Sequence, residues 1–173
     1  MVRLIIEKFP RVLKNKKRLE KRLNIKIESR GKEIQITGAP EDEYKAEKVI
    51  TALDFGFPFS TALLIKEEDF IFESINIKEH TKRKDFARIK SRLIGTKGKA
   101  LKTLSTLTGC YFEIKDNWIG VIGEPEHIKN AERAVILIIK GSKHGNVYSY
   151  LEKHQIKPVL DLGLKEDDER LEI

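Results

Sequence analysis

Arg92-Leu93-Ile94-Gly95-Thr96-Lys97-Gly98-Lys99-Ala100-Leu101 decides the fold, with its continuation through Leu104 and Leu107 into Thr108-Gly109-Cys110-Tyr111-Phe112-Glu113-Ile114. Upstream, Phe86, Ile89, Leu93 and Ile94 recur at three- and four-residue spacing while Arg88, Lys90 and Arg92 point elsewhere, which predicts a helix running into Gly95. Downstream, Leu101, Leu104 and Leu107 repeat every three residues until Thr108-Gly109 breaks the pattern. That is a second helix with a glycine stop, followed by a strand over Tyr111 to Lys115.

A pair of glycines alone is a weak signal, because glycines join helices in many proteins. Here the pair is flanked by cations and opens a helix. Without side chains at Gly95 and Gly98, a sugar-phosphate backbone can approach the loop's amides. Thr96 can donate a hydrogen bond, Lys97 and Lys99 supply charge, and the next helix turns its free amides toward the same phosphates.

Helix, GxxG, helix, Thr-Gly and strand in this order resemble the K-homology (KH) domain over residues 84–114, and the KH loop clamps about four nucleotides. The resemblance implies an RNA groove floored by Ile94, Leu101, Phe112 and Ile114, with Ala100 at the helix start. Around it, Gly95, Thr96, Lys97, Gly98 and Lys99 would form the clamp, and Lys97, Lys99, Lys102, Arg88 and Arg92 would displace counterions from phosphates.

An internal repeat divides the chain. Glu33-Ile34-Gln35-Ile36-Thr37-Gly38-Ala39-Pro40-Glu41 is echoed 85 residues later by Trp118-Ile119-Gly120-Val121-Ile122-Gly123-Glu124-Pro125-Glu126. Ala46-Glu47-Lys48 is echoed by Ala131-Glu132-Arg133 at the same offset. The expected fold is therefore α+β: two tandem type I KH-like domains, each β-α-α-β-β-α, plus a C-terminal helix. The expected boundaries are 1–56 for the first module, 57–67 for an apolar connector, 68–145 for the second module, 146–160 for the helix and 161–173 for an acidic, disordered tail. The connector, Phe55-Gly56-Phe57-Pro58-Phe59-Ser60, is too apolar for a tether, so it should pack the modules in a fixed orientation.

The first module is degenerate. Aligning the halves puts Lys14-Asn15-Lys16-Lys17 at the GxxG position, without glycine. Two readings stay open for it, a wider basic surface or a protein-docking face.

Two KH-like modules with glycines only in the second, and Lys143-His144-Gly145-Asn146-Val147-Tyr148 after the last helix of that module, resemble the Partner of NOB-one family and its archaeal homologues over residues 1–155. The resemblance implies binding near the 3′ end of small-subunit (16S) rRNA in ribosome biogenesis, beside the endonuclease that trims it. It also implies contact with the alpha subunit of translation initiation factor two. No role that depends on the long polar N-terminal extension of eukaryotic members is expected.

Composition fits polyanion binding. The formal net charge is +7, and it is uneven: nine Lys or Arg against Asp85 between Lys82 and Lys102, and eight against Glu20 between Arg11 and Lys26. Charged residues make up 35% of the chain, with Cys and Met once each, a composition that resembles a thermophilic, archaeal source. A single cysteine excludes an intramolecular disulfide framework, and no signal peptide or membrane span is apparent, so the expected location is cytoplasmic. No cofactor, metal site or catalytic residue is expected. The four histidines lack cysteines at metal-ligand spacing, and Cys110 reads as a buried strand residue. GxxxxGK[ST] is not satisfied around Gly95, which excludes a Walker A loop. An adaptor that links an initiation factor or an rRNA-processing nuclease to RNA is the alternative to a sequence reader. The tail from Glu166 onward would then bind a basic partner or mask the groove.

Overall fold

Residues 1–155 are described by a computed structural model; the expected acidic tail and the last residues of the expected C-terminal helix lie outside them. The first module runs β1 (Val2–Ile5), α1 (Phe9–Lys14), α2 (Lys16–Leu23), β2 (Ile25–Arg30), β3 (Glu33–Gly38) and α3 (Pro40–Phe55). After α4 (Phe59–Glu67), the second runs β4 (Ile71–Asn76), a short α5 (Ile77–His80), α6 (Phe86–Ile94), the glycine loop, α7 (Lys99–Thr108), β5 (Tyr111–Lys115), β6 (Trp118–Gly123) and α8 (Pro125–Ile139). α9 (His144–Lys153) follows. Among the described residues no helix is long and apolar enough to cross a membrane.

Each module is an antiparallel three-stranded sheet with helices on one face, in the orders β1-β3-β2 and β4-β6-β5. The 85-residue offset governs the geometry as well as the letters. β3 and β6 begin and end 85 residues apart, and so do Pro40 and Pro125 at the first turns of α3 and α8. Both prolines need no amide partner there and fix φ for the helix. The offset extends back to Asn24 and Gly109, both left-handed, which end α2 and α7.

Alternation along the strands sends one face inward. Ile27, Ile34 and Ile36 meet Val12, Leu19, Leu23, Val49, Ile50 and Leu53 in the first core. Ile119 and Val121 meet Ile89, Leu93, Leu104, Val135 and Ile138 in the second. The back of the second sheet is covered by the first module. Phe72 packs edge-on to Phe55 and Phe57, at 5.6 and 5.9 Å between ring centroids, and Ile122 joins the first core. A Cβ on Gly120 would lie 2.8 Å from both Phe55 and Phe57, so only glycine admits this contact. Lys115 on β5 completes the joint with Glu7 at 2.6 Å and Asp54 at 3.9 Å.

The apolar connector takes the form of the helix α4, whose Ala62, Leu63 and Ile65 belong to the first core. The short α5 was not foreseen; the Asn76 side chain accepts from the Lys78 amide, a local N-cap that a hydrophobic pattern does not reveal. The C-terminal helix begins two residues early and ends at Lys153, where the His154 amide already donates to the Tyr150 and Leu151 carbonyls.

Candidate nucleic-acid interface

α6 delivers the loop. Ile89 and Leu93 are buried, while Ile94 at its end is 39% exposed. The chain then turns through Gly95 (φ 73°, ψ 177°), Thr96, Lys97 (φ 54°) and Gly98 (φ 74°) before α7 starts. The two glycines do different work. A Cβ at Gly95 would fall 2.6 Å from the Ala100 Cβ and 2.7 Å from the Ala100 nitrogen, so Gly95 lets α6 turn tightly onto α7. A Cβ at Gly98 would meet nothing within 4 Å. Only Gly98 leaves space on the outer side for a ligand's backbone. The space that the steric argument needs is therefore open at Gly98, while at Gly95 the obstacle is the protein itself.

A groove of about 360 Å³ runs from Gly98 along α7 and β5, lined by Leu101, Lys102, Ser105, Tyr111, Phe112 and Glu113. Its far wall is Phe57, Pro58 and Thr61 from the junction with the first module. These three, with Ser105, Tyr111 and Glu113, were missed from sequence. The apolar connector was the available signal, but periodicity does not say which face a connector lines. β5 is an edge strand, so one row of its backbone donors and acceptors is free to pair. Glu113 sits in this wall, and burial holds its carboxyl above the usual range against the pull of Lys8 and Arg11 from the first module.

Thr96, Lys97, Lys99 and Lys102 are exposed around the loop and groove mouth. Ala100 is instead buried under Gly95 and supports the loop from below. Ile114 is half-buried and packs into the second core, outside the groove lining. Arg88 and Arg92 are not brought to the groove. They share a stripe on another flank of α6, and Arg92 is committed within the fold. Its guanidinium donates to the Ile138 carbonyl at 3.0 Å and the Ser142 carbonyl at 2.6 Å, closing the C-terminus of α8. In return the His144 ring pairs with the Arg92 carbonyl at 2.7 Å, which ties α9 to the last turn before the loop. The Lys143–Tyr148 stretch therefore acts as a brace for α6.

In the first module a single residue, Asn15, replaces the loop. α1 ends at Lys14 and α2 begins at Lys16, with φ −100° at Asn15 and its side-chain amide donating to the Arg11 carbonyl. The four-residue loop expected over Lys14–Lys17 does not exist. Cys110 is buried, and its thiol is pushed up to about 11 by burial. Its position beneath Gly123, whose Cβ would lie 2.5 Å from the sulfur, makes it a packing residue.

The profile of the second KH domain of Pno1 proteins, described as a eukaryotic type KH-domain (KH-domain type I), matches residues 71–156. Over residues 71–156 the chain is a type I KH domain of the kind that stands second in Pno1 proteins. It is 28% identical over 149 residues to a KH domain-containing protein of Methanocaldococcus jannaschii, covering 82% of this chain and 66% of that one. It is 29% identical over 138 residues to the RNA-binding protein pno1 of Drosophila melanogaster, covering 75% of this chain and 58% of the relative. The chain thus spans two thirds or less of the length of these curated relatives. Among solved structures, a chain of the a/eIF2alpha-aDim2p-rRNA complex from Pyrococcus horikoshii OT3 superposes with a TM-score of 0.81 at 27% identity, covering 89% of this chain and 93% of that one. The match over 71–156 lies on the half with the glycine loop.

Proposed function

We propose that this protein holds single-stranded RNA near the 3′ end of 16S rRNA during small-subunit biogenesis, through the glycine loop and groove of its second module. The observation that carries the reading is the geometry at Gly98: an open, left-handed glycine at the mouth of an apolar groove, with Lys97, Lys99 and Lys102 around it. Phosphates would lie over Gly98 and the start of α7, and bases would enter between Leu101 and Phe112. There they can stack and pair with the free edge of β5. The work is binding and positioning; no step of bond cleavage is assigned to any side chain.

The solved relative that contains a/eIF2alpha and rRNA supports the alpha subunit of translation initiation factor two as a protein partner. Under this reading the rRNA-trimming endonuclease would act beside the bound end, and the protein would work in the cytoplasm. The exposed basic helices α1 and α2 extend the polyanion surface without a clamp, because Asn15 leaves no loop to approach a backbone.

Fluorescence anisotropy with a short RNA of the 16S 3′-end sequence and a scrambled control, across a salt series, tests the reading. Wild type should prefer the rRNA sequence, and Thr96→Asp with Lys97→Asp should abolish binding. Equal affinity of both proteins for both RNAs would show that the loop is not the clamp, and the adaptor reading would replace it.

A further inference from the structure

α6 carries a second basic surface that the groove does not use. A concavity of about 600 Å³ is lined by Arg83, Lys84, Asp85, Arg88, Ile89, Arg92 and Gly141. It shares no lining residue with the groove. Arg88 and Arg92, four residues apart, share one stripe of α6. Four cations face one acid, Asp85. Arg83, Lys84 and Arg88 are exposed, and none of them forms an ion pair with a described residue. Arg92 is different, because its two carbonyl bonds hold its charge at the wall of the concavity without further ordering.

The position of this concavity points to its ligand. The stripe begins three residues before Gly95 and runs back along α6, so the distance from the loop to Asp85 is about 15 Å. At a stacked spacing of ~3.4 Å that is about four or five nucleotides. Arginine at three of the four cationic positions suits phosphate, which it can grip with a planar fork.

Resting on the groove reading above, we infer that the concavity of Arg83, Lys84, Arg88 and Arg92 is a second phosphodiester subsite. It takes the backbone of the same RNA strand after that strand leaves the glycine loop along α6. The groove then reads bases, and this flank lengthens the footprint by charge.

The test compares a hexamer with a dodecamer that contains it, using anisotropy over a salt series, with wild type and the variant Arg83→Gln, Lys84→Gln. Both substitutions precede α6 and remove no contact of the core or groove. The hexamer should bind the variant as it binds wild type. The dodecamer should lose its advantage, with a salt slope smaller by about 1.4 and affinity lower by roughly twentyfold at 0.1 M salt, the counterion contribution of two single-strand contacts. An unchanged dodecamer affinity and slope overturns the subsite. Equal weakening of both RNAs also overturns it, since that is long-range attraction without a seat. A wild-type hexamer affinity that ignores Thr96→Asp, Lys97→Asp sinks the groove reading instead, and this inference with it.

Discussion

Replacing Gly95 and Gly98 by alanine, one at a time, should separate folding from binding. Gly98 is left-handed at φ 74° with free space around its Cβ position. Alanine there costs ~1–2 kcal/mol for the left-handed backbone, and lower entropy of the unfolded chain returns ~0.4–1 kcal/mol. The net is about 1 kcal/mol. Gly95 has φ 73° and ψ 177°, a region almost reserved for glycine, where another residue costs ~1–3 kcal/mol. Its Cβ would also fall 2.6 Å from the Ala100 Cβ and 2.7 Å from the Ala100 nitrogen, and Ala100 is itself buried. Forcing that apart adds ~1–3 kcal/mol of overpacking, for a total of about 4 kcal/mol. At ~3 °C per kcal/mol for a chain of this size, Tm should fall by about 12 °C for Gly95→Ala and about 3 °C for Gly98→Ala. RNA affinity should move the other way round: Gly98→Ala, nearly native in stability, should lose at least about tenfold, or ~1.4 kcal/mol. Thermal unfolding by circular dichroism and anisotropy on the same preparations measure both. Equal stability of the two variants would refute the steric assignment at Gly95, and native RNA affinity of Gly98→Ala would refute the placement of the phosphates.

Further expectations follow from the joints of the structure. Gly120→Val drives a branched side chain into the Phe55 and Phe57 rings, 2.8 Å from the Cβ position. It should cost about 2 kcal/mol and open the α3–α4 connection to limited proteolysis, while wild type stays resistant there. Arg92→Met leaves the Ile138 and Ser142 carbonyls without their charged donor, at about 2 kcal/mol in urea titration, and an unchanged midpoint would refute the guanidinium's closure of α8. Glu113 has its carboxyl raised by burial in the groove wall, so it takes up a proton above the usual carboxylate range as pH falls. In the proposed complex the acid form removes a negative charge from the wall of the groove that takes the RNA, so affinity for this polyanion should rise as pH falls through that range. Glu113→Gln should bind about threefold tighter at neutral pH, the scale of a screened surface charge, and should show no such pH step.

The fold was legible because two kinds of signal agreed. The 85-residue echo marked β3 with α3 and β6 with α8, and in each copy a glycine ends the strand and a proline opens the helix. Those residues are constrained locally, by φ and by close contact, so letters and geometry repeat together. α5 and the helical form of residues 59–67 were not legible, for a physical reason. α5 rests on one Asn76 cap, and α4 is apolar on several sides because α3 and β6 pack against it and its Ala62, Leu63 and Ile65 belong to the first core. A segment buried on more than one side loses the 3.6-residue pattern that would reveal it.

The site divides in the same way. Read from sequence, Gly95 and Gly98 share one role, room for a sugar-phosphate backbone, and sequence could not say which of them leaves open space, since that depends on where Ala100 lies across the turn. Charge was the least transferable signal. Arg88, Arg92, Lys97, Lys99 and Lys102 look alike in a basic stretch. On the structure, three surround the loop and groove mouth, one lines another flank, and Arg92 closes α8. A cation's role depends on the nearest unpaired acceptor. For Arg92 that acceptor is the end of a helix 46 residues away in sequence, and a pattern confined to one helix cannot contain it. The same residue orders the last turn before the glycine loop through its carbonyl bond to His144. A loop that clamps a flexible strand must itself be held, because mobility at its base would add to the entropy lost on binding. The Arg92–His144 clasp supplies that support from α8 and α9, outside the four residues that the motif names.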